Sequence, residues 1–267
     1  EQQAMVSNDE QAVIRLKQKM ATSLYDYQEL AERCLEIEDY KAVETWLKKC
    51  GQSIEQDYHH RTARIQIKLS RAKERWPEAL EMQWVLYSKS LQLKDYLAVL
   101  ELSEKANDSH DWQNKAIQLL NKQLLNKQLQ TKSRAHWDTS ITDKLLELYL
   151  HHKAFEEALA LVTKVHANPT LLLQLAWNIS KQPQKSFHLF QRVFESQIHR
   201  DNNVAYHQAS EISLAMADQL KTYQTNKLLI DPHVHIRQNF RPNRPIIHWL
   251  QDAFGSILLM LYIRELV

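Results

Sequence analysis

Glycine is almost missing from this sequence. Its 267 residues include only two glycines, Gly51 and Gly255, where the usual frequency of about 7% would give roughly 19. Phosphate-binding loops, nucleophile elbows and two-residue β-hairpin turns need residues that tolerate positive φ, a role that glycine usually fills. The shortage argues against nucleotide-binding, hydrolase and sheet-rich folds. We therefore expect no enzyme activity, no catalytic residue and no cofactor.

Cysteine and long apolar runs are scarce as well. Cys34 and Cys50 are too few for a disulfide framework, so we expect both to be buried thiols in a cytoplasmic protein. The longest apolar run, residues 257–263, has seven residues, whereas a membrane span needs about 20, so no membrane partner is expected. The chain opens at Glu1 without an initiator methionine or a secretory signal, which indicates a fragment of a longer intracellular protein.

Apolar residues recur at helical spacing along most of the chain, and alternating strand patterns are rare. One such stripe is Leu171, Leu172, Leu175, Ala176 and Ile179. It follows Asn168 and Pro169, a pair typical of a helix start, because asparagine caps the first turn and proline needs no hydrogen-bond donor there. The sequence therefore predicts an all-α fold.

A short phrase recurs in which an aromatic residue at a helix junction precedes a small residue on the next helix. A small residue lets two helices approach closely, and the ring fills the space at the turn. The rings are 36, 20 and 59 residues apart, and only the first spacing is near the tetratricopeptide period of about 34. We therefore predict a tetratricopeptide-like α-solenoid of degenerate helical hairpins, with one irregular helical bundle as the alternative. The four phrases are Tyr40 with Ala42, Trp76 with Ala79, Tyr96 with Ala98, and Phe155 with Ala158.

Tryptophan and tyrosine are plentiful, with seven and ten residues. Trp46, Trp84, Trp112 and Trp177 all lie in apolar helical stripes. We therefore predict that these four rings pack in the core and do not form a stacking platform for a ligand.

Three segments differ in pattern. Residues 1–224 are predicted to form the helical-repeat solenoid, residues 225–235 a flexible connection that contains Pro232, and residues 236–267 C-terminal helices that pack on the array or extend it. Residues 255–267 are interpreted as a terminal buried helix, a partner contact or an extension that is not native.

Leucine- and alanine-rich helical stretches follow one another at residues 145–148, 154–161, 169–176 and 205–209. With them, residues 142–220 resemble the helical region that follows the zinc-binding module in bacterial SWIM-type zinc-finger proteins. Residues 236–244 and 249–254 look like the end of that region, and residues 84–120 are similar to its earlier helices. The resemblance covers roughly 170 residues.

The resemblance implies a tetratricopeptide-like platform that works with an attached metal-binding module. The family's zinc signature, Cys-x-Cys followed later by Cys-x-His, is absent from this sequence, and Cys34 and Cys50 fit neither half of it. No zinc ligand is therefore assigned to this chain.

Opposite charges nearly balance, with 34 Lys and Arg against 32 Asp and Glu, so a site for a polyanion would have to be local. Arg61, Arg64, Lys68, Arg71 and Arg75 follow one another in steps of three and four residues, which on a helix places them within an arc of about 80°. We call them the basic row and predict that they lie on one helix, with most charged groups reaching solvent.

Such a row suits phosphates or an acidic partner. The alternative is a solvated face neutralised by a neighbouring helix. If acidic residues pair with three or more of the five, the row is structural.

Two further sets of residues were considered as sites. Arg237, Arg241 and Arg244 form a second, weaker basic group with the same two interpretations. His233 and His235 follow Asp231 in the spacing of an amidohydrolase metal motif, but only 32 residues follow them and these show no strand pattern. We interpret that segment as a loop and expect no metal site.

Together these observations predict a non-catalytic protein-interaction platform. Its partner would be another protein or another part of the same polypeptide. The alternative function is nucleic-acid binding through the basic row, and the two differ in how steeply affinity falls with salt.

Overall fold

The computed structural model describes residues 10–51, 57, 60–130 and 139–198, together with residues 204, 205, 207–209, 211, 212, 215 and 216. The chain divides into two compact units, Glu1–Lys122 (unit 1) and Gln123–Val267 (unit 2). The segments predicted at residues 225–235 and 236–267 lie outside the described residues, so those boundaries stay predictions. No helix within the described ranges has both the length and the apolar character that a membrane crossing requires.

Across the described ranges, every regular element is an α-helix. Neighbouring helices pack as hairpins, which confirms the predicted fold class, an all-α tetratricopeptide-like α-solenoid. In unit 1 the helices are α1 (Glu10–Met20), α2 (Leu24–Glu36), α3 (Tyr40–Cys50), α4 (Arg61–Ala72), α5 (Trp76–Ser90) and α6 (Leu93–Lys105), and α7 (Trp112–Gln130) begins there. In unit 2 they are α8 (Thr139–His151), α9 (Phe155–Val162), α10 (Pro169–Asn178) and α11 (Pro183–Ile198).

Unit 1 is built from hairpins whose helices pack in chain order. Helix α2 pairs with α3, α4 pairs with α5, and α6 packs against α5, while α2 also lies beside α4. Leu30, Ala31, Val43 and Ile65 are fully buried where α2, α3 and α4 meet. Cys34 belongs to the same core and is a free thiol, as is the buried Cys50, so the predicted burial of both cysteines is confirmed.

Unit 2 is also a stack of hairpins, α8 with α9 and α10 with α11. Its core includes Leu146, Ala158, Leu175 and Phe190, all fully buried. The described residues between 204 and 216 are helical and add Ala209, Ile212 and Met216 to this core. Asn168 caps α10 as predicted, since its side chain accepts a hydrogen bond from the backbone N–H of Thr170 at 2.9 Å.

Four helices end in the same turn. The second residue after each of α2, α4, α6 and α8 has a positive φ of 51–59°, and the residue after it donates its backbone N–H to the carbonyl five positions earlier at 2.8–2.9 Å. This is the Schellman arrangement, which satisfies carbonyls at the helix end and normally places glycine in the left-handed position. Here the position is filled by Glu38, Glu74, Asn107 and Lys153. The shortage of glycine therefore does not exclude turns with positive φ.

The turns reveal a repeat that the aromatic phrases did not. Glu38, Glu74 and Asn107 are 36 and 33 residues apart, close to the tetratricopeptide period of about 34. At three of the four turns an aromatic residue lies two positions after the left-handed residue, as predicted. The three are Tyr40, Trp76 and Phe155. Tyr96 does not follow such a turn, because it lies within α6 and packs its ring on Tyr87 of α5 at 5.5 Å.

The tryptophans are not all in the core. Trp46 and Trp112 are buried and Trp84 is half-buried, as predicted for core residues. Trp177 is 53% exposed, so the prediction was wrong for this ring. The ring of Trp177 packs on the buried Phe190 in a T-shaped arrangement with the ring centres 5.0 Å apart, which fits its place in an apolar stripe although half of its surface meets solvent.

The left-handed turns lead to a prediction about Glu38. A non-glycine residue in this conformation costs about 1–2 kcal/mol, whereas glycine costs about 0.5–1 kcal/mol in chain entropy. We therefore predict that Glu38→Gly raises the free energy of unfolding by about 0.5–1 kcal/mol, as measured in urea. Glu36→Gly is the control, because Glu36 is equally exposed but helical, and it should lower stability by about 1 kcal/mol. Equal losses in both variants would contradict the turn assignment.

The buried alanines lead to a second prediction. Ala79 and Ala158 have no exposed surface, so Ala79→Leu and Ala158→Leu should each overpack a hairpin and lower stability by about 1–3 kcal/mol. Ala160→Leu on the same helix as Ala158 is the control, since Ala160 is exposed. The midpoints of thermal unfolding should fall in the first two variants only, and three equal midpoints would count against close hairpin packing at these alanines.

Candidate protein-interaction face

Four residues of the basic row lie on one helix. Arg61, Arg64, Lys68 and Arg71 are on α4, but Arg75 is the N-cap residue of α5. The prediction of a single helix was therefore wrong for Arg75. The reason is the left-handed Glu74, which ends the helical path and turns the chain into the next helix.

Arg61 pairs with the preceding hairpin. Its Nη2 donates to Oε2 of Glu32 on α2 at 2.5 Å and its Nε donates to Oε1 at 3.1 Å. The hydrogen bond to Glu32 raises the pKa of Arg61, and the guanidinium also lies 4.8 Å from the ring centre of the exposed Tyr25. Next to this pair, the amide of Gln28 on α2 donates to the hydroxyl of Thr62 on α4 at 2.8 Å. These contacts hold α2 and α4 side by side.

Arg64 pairs with the following helix, α6. Its Nη1 and Nη2 donate to Oδ1 and Oδ2 of Asp95 at 2.9 and 3.1 Å, a bidentate geometry. The side chain of Asp95 is only 3% exposed. Its Oδ2 also accepts from the Ser90 hydroxyl at 2.6 Å, and its main-chain carbonyl accepts from the amide of Gln83 on α5 at 2.9 Å. Asp95 therefore joins α4, α5 and α6.

Arg71 pairs with α6 at a second point. Its guanidinium contacts the carboxylate of Glu101 at 3.3 Å, and Lys105 donates to the same carboxylate at 3.0 Å. The hydrogen bond from Lys105 is the main cause of the lowered pKa of Glu101, and Arg71 adds to it. Arg75 forms the weakest pair, at 3.6 Å from Glu78 of α5, with both side chains about half exposed.

These pairs show that α2, α4 and α6, the first helices of successive hairpin repeats, present one face. Arg64 and Arg71 are seven residues apart on α4, and their partners Asp95 and Glu101 are six residues apart in the same direction on α6, so the two helices run parallel. We call the exposed and half-buried side chains of α2, α4 and α6 along these contacts the first-helix face. Lys68 lies between Arg64 and Arg71 in sequence and is exposed, and Leu97 lies between Asp95 and Glu101 in sequence and is 39% exposed.

The pairing decides between the two interpretations of the basic row. Four of its five residues are in ion pairs, and Lys68 is the only member without one among the residues that the structure describes. The row therefore meets the criterion for a structural role, although its four paired side chains stay 26–56% exposed. Nucleic-acid binding through the row loses the support that five free cations would have given it.

The structure does not describe the other candidate residues, and the second basic group stays a prediction. Arg237, Arg241 and Arg244, together with His233 and His235, lie outside the described residues. Within the described ranges, no group of three or more His, Cys, Asp or Glu side chains is placed to hold a metal ion.

Sequence reasoning found the cations of this face but missed their partners. Glu32, Asp95 and Glu101 are 29, 31 and 30 residues from the arginines that they contact. The signal was present in the sequence, because acidic residues about one repeat away from a basic row are suited to pair with it when equivalent helices lie side by side. The aromatic phrases gave an irregular spacing and so hid that relation.

Comparisons with known proteins give little detail. No protein-family model matches the chain, and no curated protein matches it. Among solved structures, the chain is similar to the C-terminal part of a TPR repeat-containing protein from Cytophaga hutchinsonii, with 15% identity and a TM-score of 0.41 over 92% of this chain and 96% of that one. It is also similar to a circular tandem repeat protein with a novel repeat topology, with 13% identity and a TM-score of 0.19 over 99% of this chain and 51% of that one. Both TM-scores are low, and the fold assignment rests on the helices and turns themselves.

The buried carboxylate of Asp95 leads to a prediction about stability. Asp95→Asn removes the charge that Arg64 and Ser90 bind, and loss of hydrogen bonds to a charged group costs about 1.5–3 kcal/mol. Arg64 is 38% exposed and regains some hydration, so we expect a loss of about 1–3 kcal/mol in unfolding free energy. Glu101→Gln, an isosteric change in an exposed pair, should cost less than about 1 kcal/mol. Equal urea midpoints for the two variants would contradict the difference in burial.

Proposed function

We propose that this chain is a non-catalytic protein-interaction scaffold that binds a segment of a partner protein, or of its own polypeptide, on the first-helix face. The observation that supports this most is that two ion pairs join α4 to α6, Arg64 with Asp95 and Arg71 with Glu101. They fix two parallel helices, and each helix carries an exposed side chain within the paired stretch, Lys68 on α4 and Leu97 on α6. A surface that is already ordered loses less conformational entropy when a partner binds.

The composition of this face favours a protein partner. Leu97 offers apolar surface, and Lys68 offers a charge whose binding to a carboxylate would not displace an existing ion pair. Tyr25 on α2 is 63% exposed and adds an aromatic side chain of a kind enriched in protein interfaces. Mixed apolar, aromatic and single-charge surfaces suit side chains of a protein better than a line of phosphates.

Nucleic-acid binding is the alternative, and the pairing within the basic row does not favour it. A phosphate at Arg61, Arg64 or Arg71 would have to displace a carboxylate that is already bound. The logarithm of affinity would fall against the logarithm of salt by about 0.7–0.9 for each phosphate neutralised. A weak salt dependence is the behaviour expected of the protein scaffold.

The resemblance to SWIM-type zinc-finger proteins supports a narrower version of this proposal. In that version the partner is a metal-binding module, in the same polypeptide or in a complex, and the protein is bacterial. The buried thiols support a cytoplasmic location, where cysteines stay reduced. Burial raises the pKa of Cys34 and of Cys50 and so keeps both protonated.

Photo-crosslinking tests the proposal. A photo-reactive amino acid in place of Leu97 should form a covalent adduct with a protein in cells, and mass spectrometry of the adduct identifies the partner. Lys68→Glu in the same chain should reduce the adduct at least about fivefold, because it replaces an attraction with a repulsion. Lys181→Glu is the matched control, since Lys181 is an exposed lysine of unit 2 that does not belong to the first-helix face. An adduct that Lys68→Glu leaves unchanged, or an adduct with nucleic acid, would overturn the proposal.

A further inference from the structure

A groove lies on the other side of unit 1, where α3 and α5 flank α4. It has a volume of about 290 Å³, at the low end of the range of ligand clefts. Space of this size suits one or two side chains of a peptide. We call it the second-helix groove, because α3 and α5 are the second helices of their hairpins.

The floor of the groove is apolar. Leu47 of α3, Leu69 of α4 and Met82 of α5 line it. The two leucines are each 7% exposed, and Met82 is half-buried. An apolar side chain placed here would cover Met82 and the remaining leucine surface, which is the favourable term in such binding.

Two polar side chains of α4 also line the groove. Ser70 is 5% exposed, and its hydroxyl has no hydrogen-bond partner within the described part of the chain. The amide of half-buried Gln66 lacks one there too. The backbone N–H and C=O groups of an extended peptide would supply hydrogen-bond partners for both side chains in place of water.

The rim of the groove carries a small excess of positive charge. Lys73 pairs with Glu44, and Arg75 lies 3.6 Å from Glu78 with both side chains about half exposed. Lys48 is the third cation of the rim and makes no ion pair with any described residue. A carboxylate from a partner would bind Lys48 without competition, and it would displace only the long, solvent-screened contact at Arg75.

We propose that the second-helix groove binds an extended peptide segment that places one apolar side chain on the floor between two carboxylates. The apolar side chain contacts Leu47, Leu69 and Met82. One carboxylate binds Lys48 and the other binds near Arg75, while the peptide backbone bonds to Ser70. This site does not use the first-helix face, so the failure of either proposal leaves the other standing.

Fluorescence anisotropy with the full chain and labelled synthetic peptides tests the groove. The probe is a short peptide with a central leucine between two glutamates, and the comparison peptides replace the leucine with serine or the glutamates with lysines. We expect the probe to bind with a dissociation constant below about 1 mM, equivalent to about −4.1 kcal/mol, and both comparison peptides to bind at least about fivefold more weakly. Lys48→Glu and Met82→Ser should each weaken the probe at least about fivefold as well.

The control is Lys181→Glu, which makes the same change in charge at an exposed lysine of unit 2 and should leave the probe's affinity unchanged. Circular dichroism checks that each variant is folded, and Lys48→Glu, at an exposed position, keeps the test valid if Met82→Ser unfolds. Failure of the probe to bind, equal affinity for all three peptides, or unchanged binding by Lys48→Glu would overturn the proposal. It would also be overturned by Lys48-dependent binding of an oligonucleotide, or by a Lys48-dependent dimer in sedimentation, without binding of the probe.

Discussion

The carboxylate of Asp95, taken almost wholly out of water, holds α4, α5 and α6 of unit 1 in register. A buried carboxylate needs partners, and it has them in Arg64 of α4 and in Ser90 at the end of α5. Its own main-chain carbonyl takes the amide of Gln83. Asp95 lies on α6 and bonds to side chains of both α4 and α5. Because of these bonds, α4 and α6 cannot slide past each other without leaving a charge unpaired. The more exposed pair at Glu101 adds to a register that Asp95 already fixes, so the place of α6 on the first-helix face depends on this one residue.

The repeated turn is what allows the helices to reach that register. Each Schellman turn reverses the chain within three residues and satisfies the carbonyls at the end of the helix. Glu38 and Glu74 accept a left-handed backbone at a cost of about 1–2 kcal/mol each, and the buried contacts of the hairpins offset that cost. The same turn also carries Lys73 and Arg75 to the rim of the second-helix groove. One backbone device thus sets the spacing of the first helices and shapes the opposite side of the unit.

Local patterns in the sequence predicted the features that depend on neighbouring residues. The helical period gave the fold class, and the small size of Ala79 and Ala158 gave their burial, because both follow from spacing within one or two helices. The partners of the basic row depend on which helices meet about 30 residues apart, and local spacing carries no such information. Glu74 could not be predicted as a turn residue, because glutamate does not usually adopt a positive φ. The exposure of Trp177 depends on which residues of other helices contact it, and local spacing does not give those contacts.

The distance between α2 and α6 across the first-helix face tests the central claim most directly. Spin labels at the exposed positions Glu36 and Glu104 report that distance in solution by pulsed electron paramagnetic resonance. If Asp95 holds the register, the wild-type chain gives one narrow distance distribution, and Asp95→Asn broadens it while Glu101→Gln leaves it narrow. A distribution that is already broad in the wild-type chain, or one that Asp95→Asn leaves unchanged, would contradict the account.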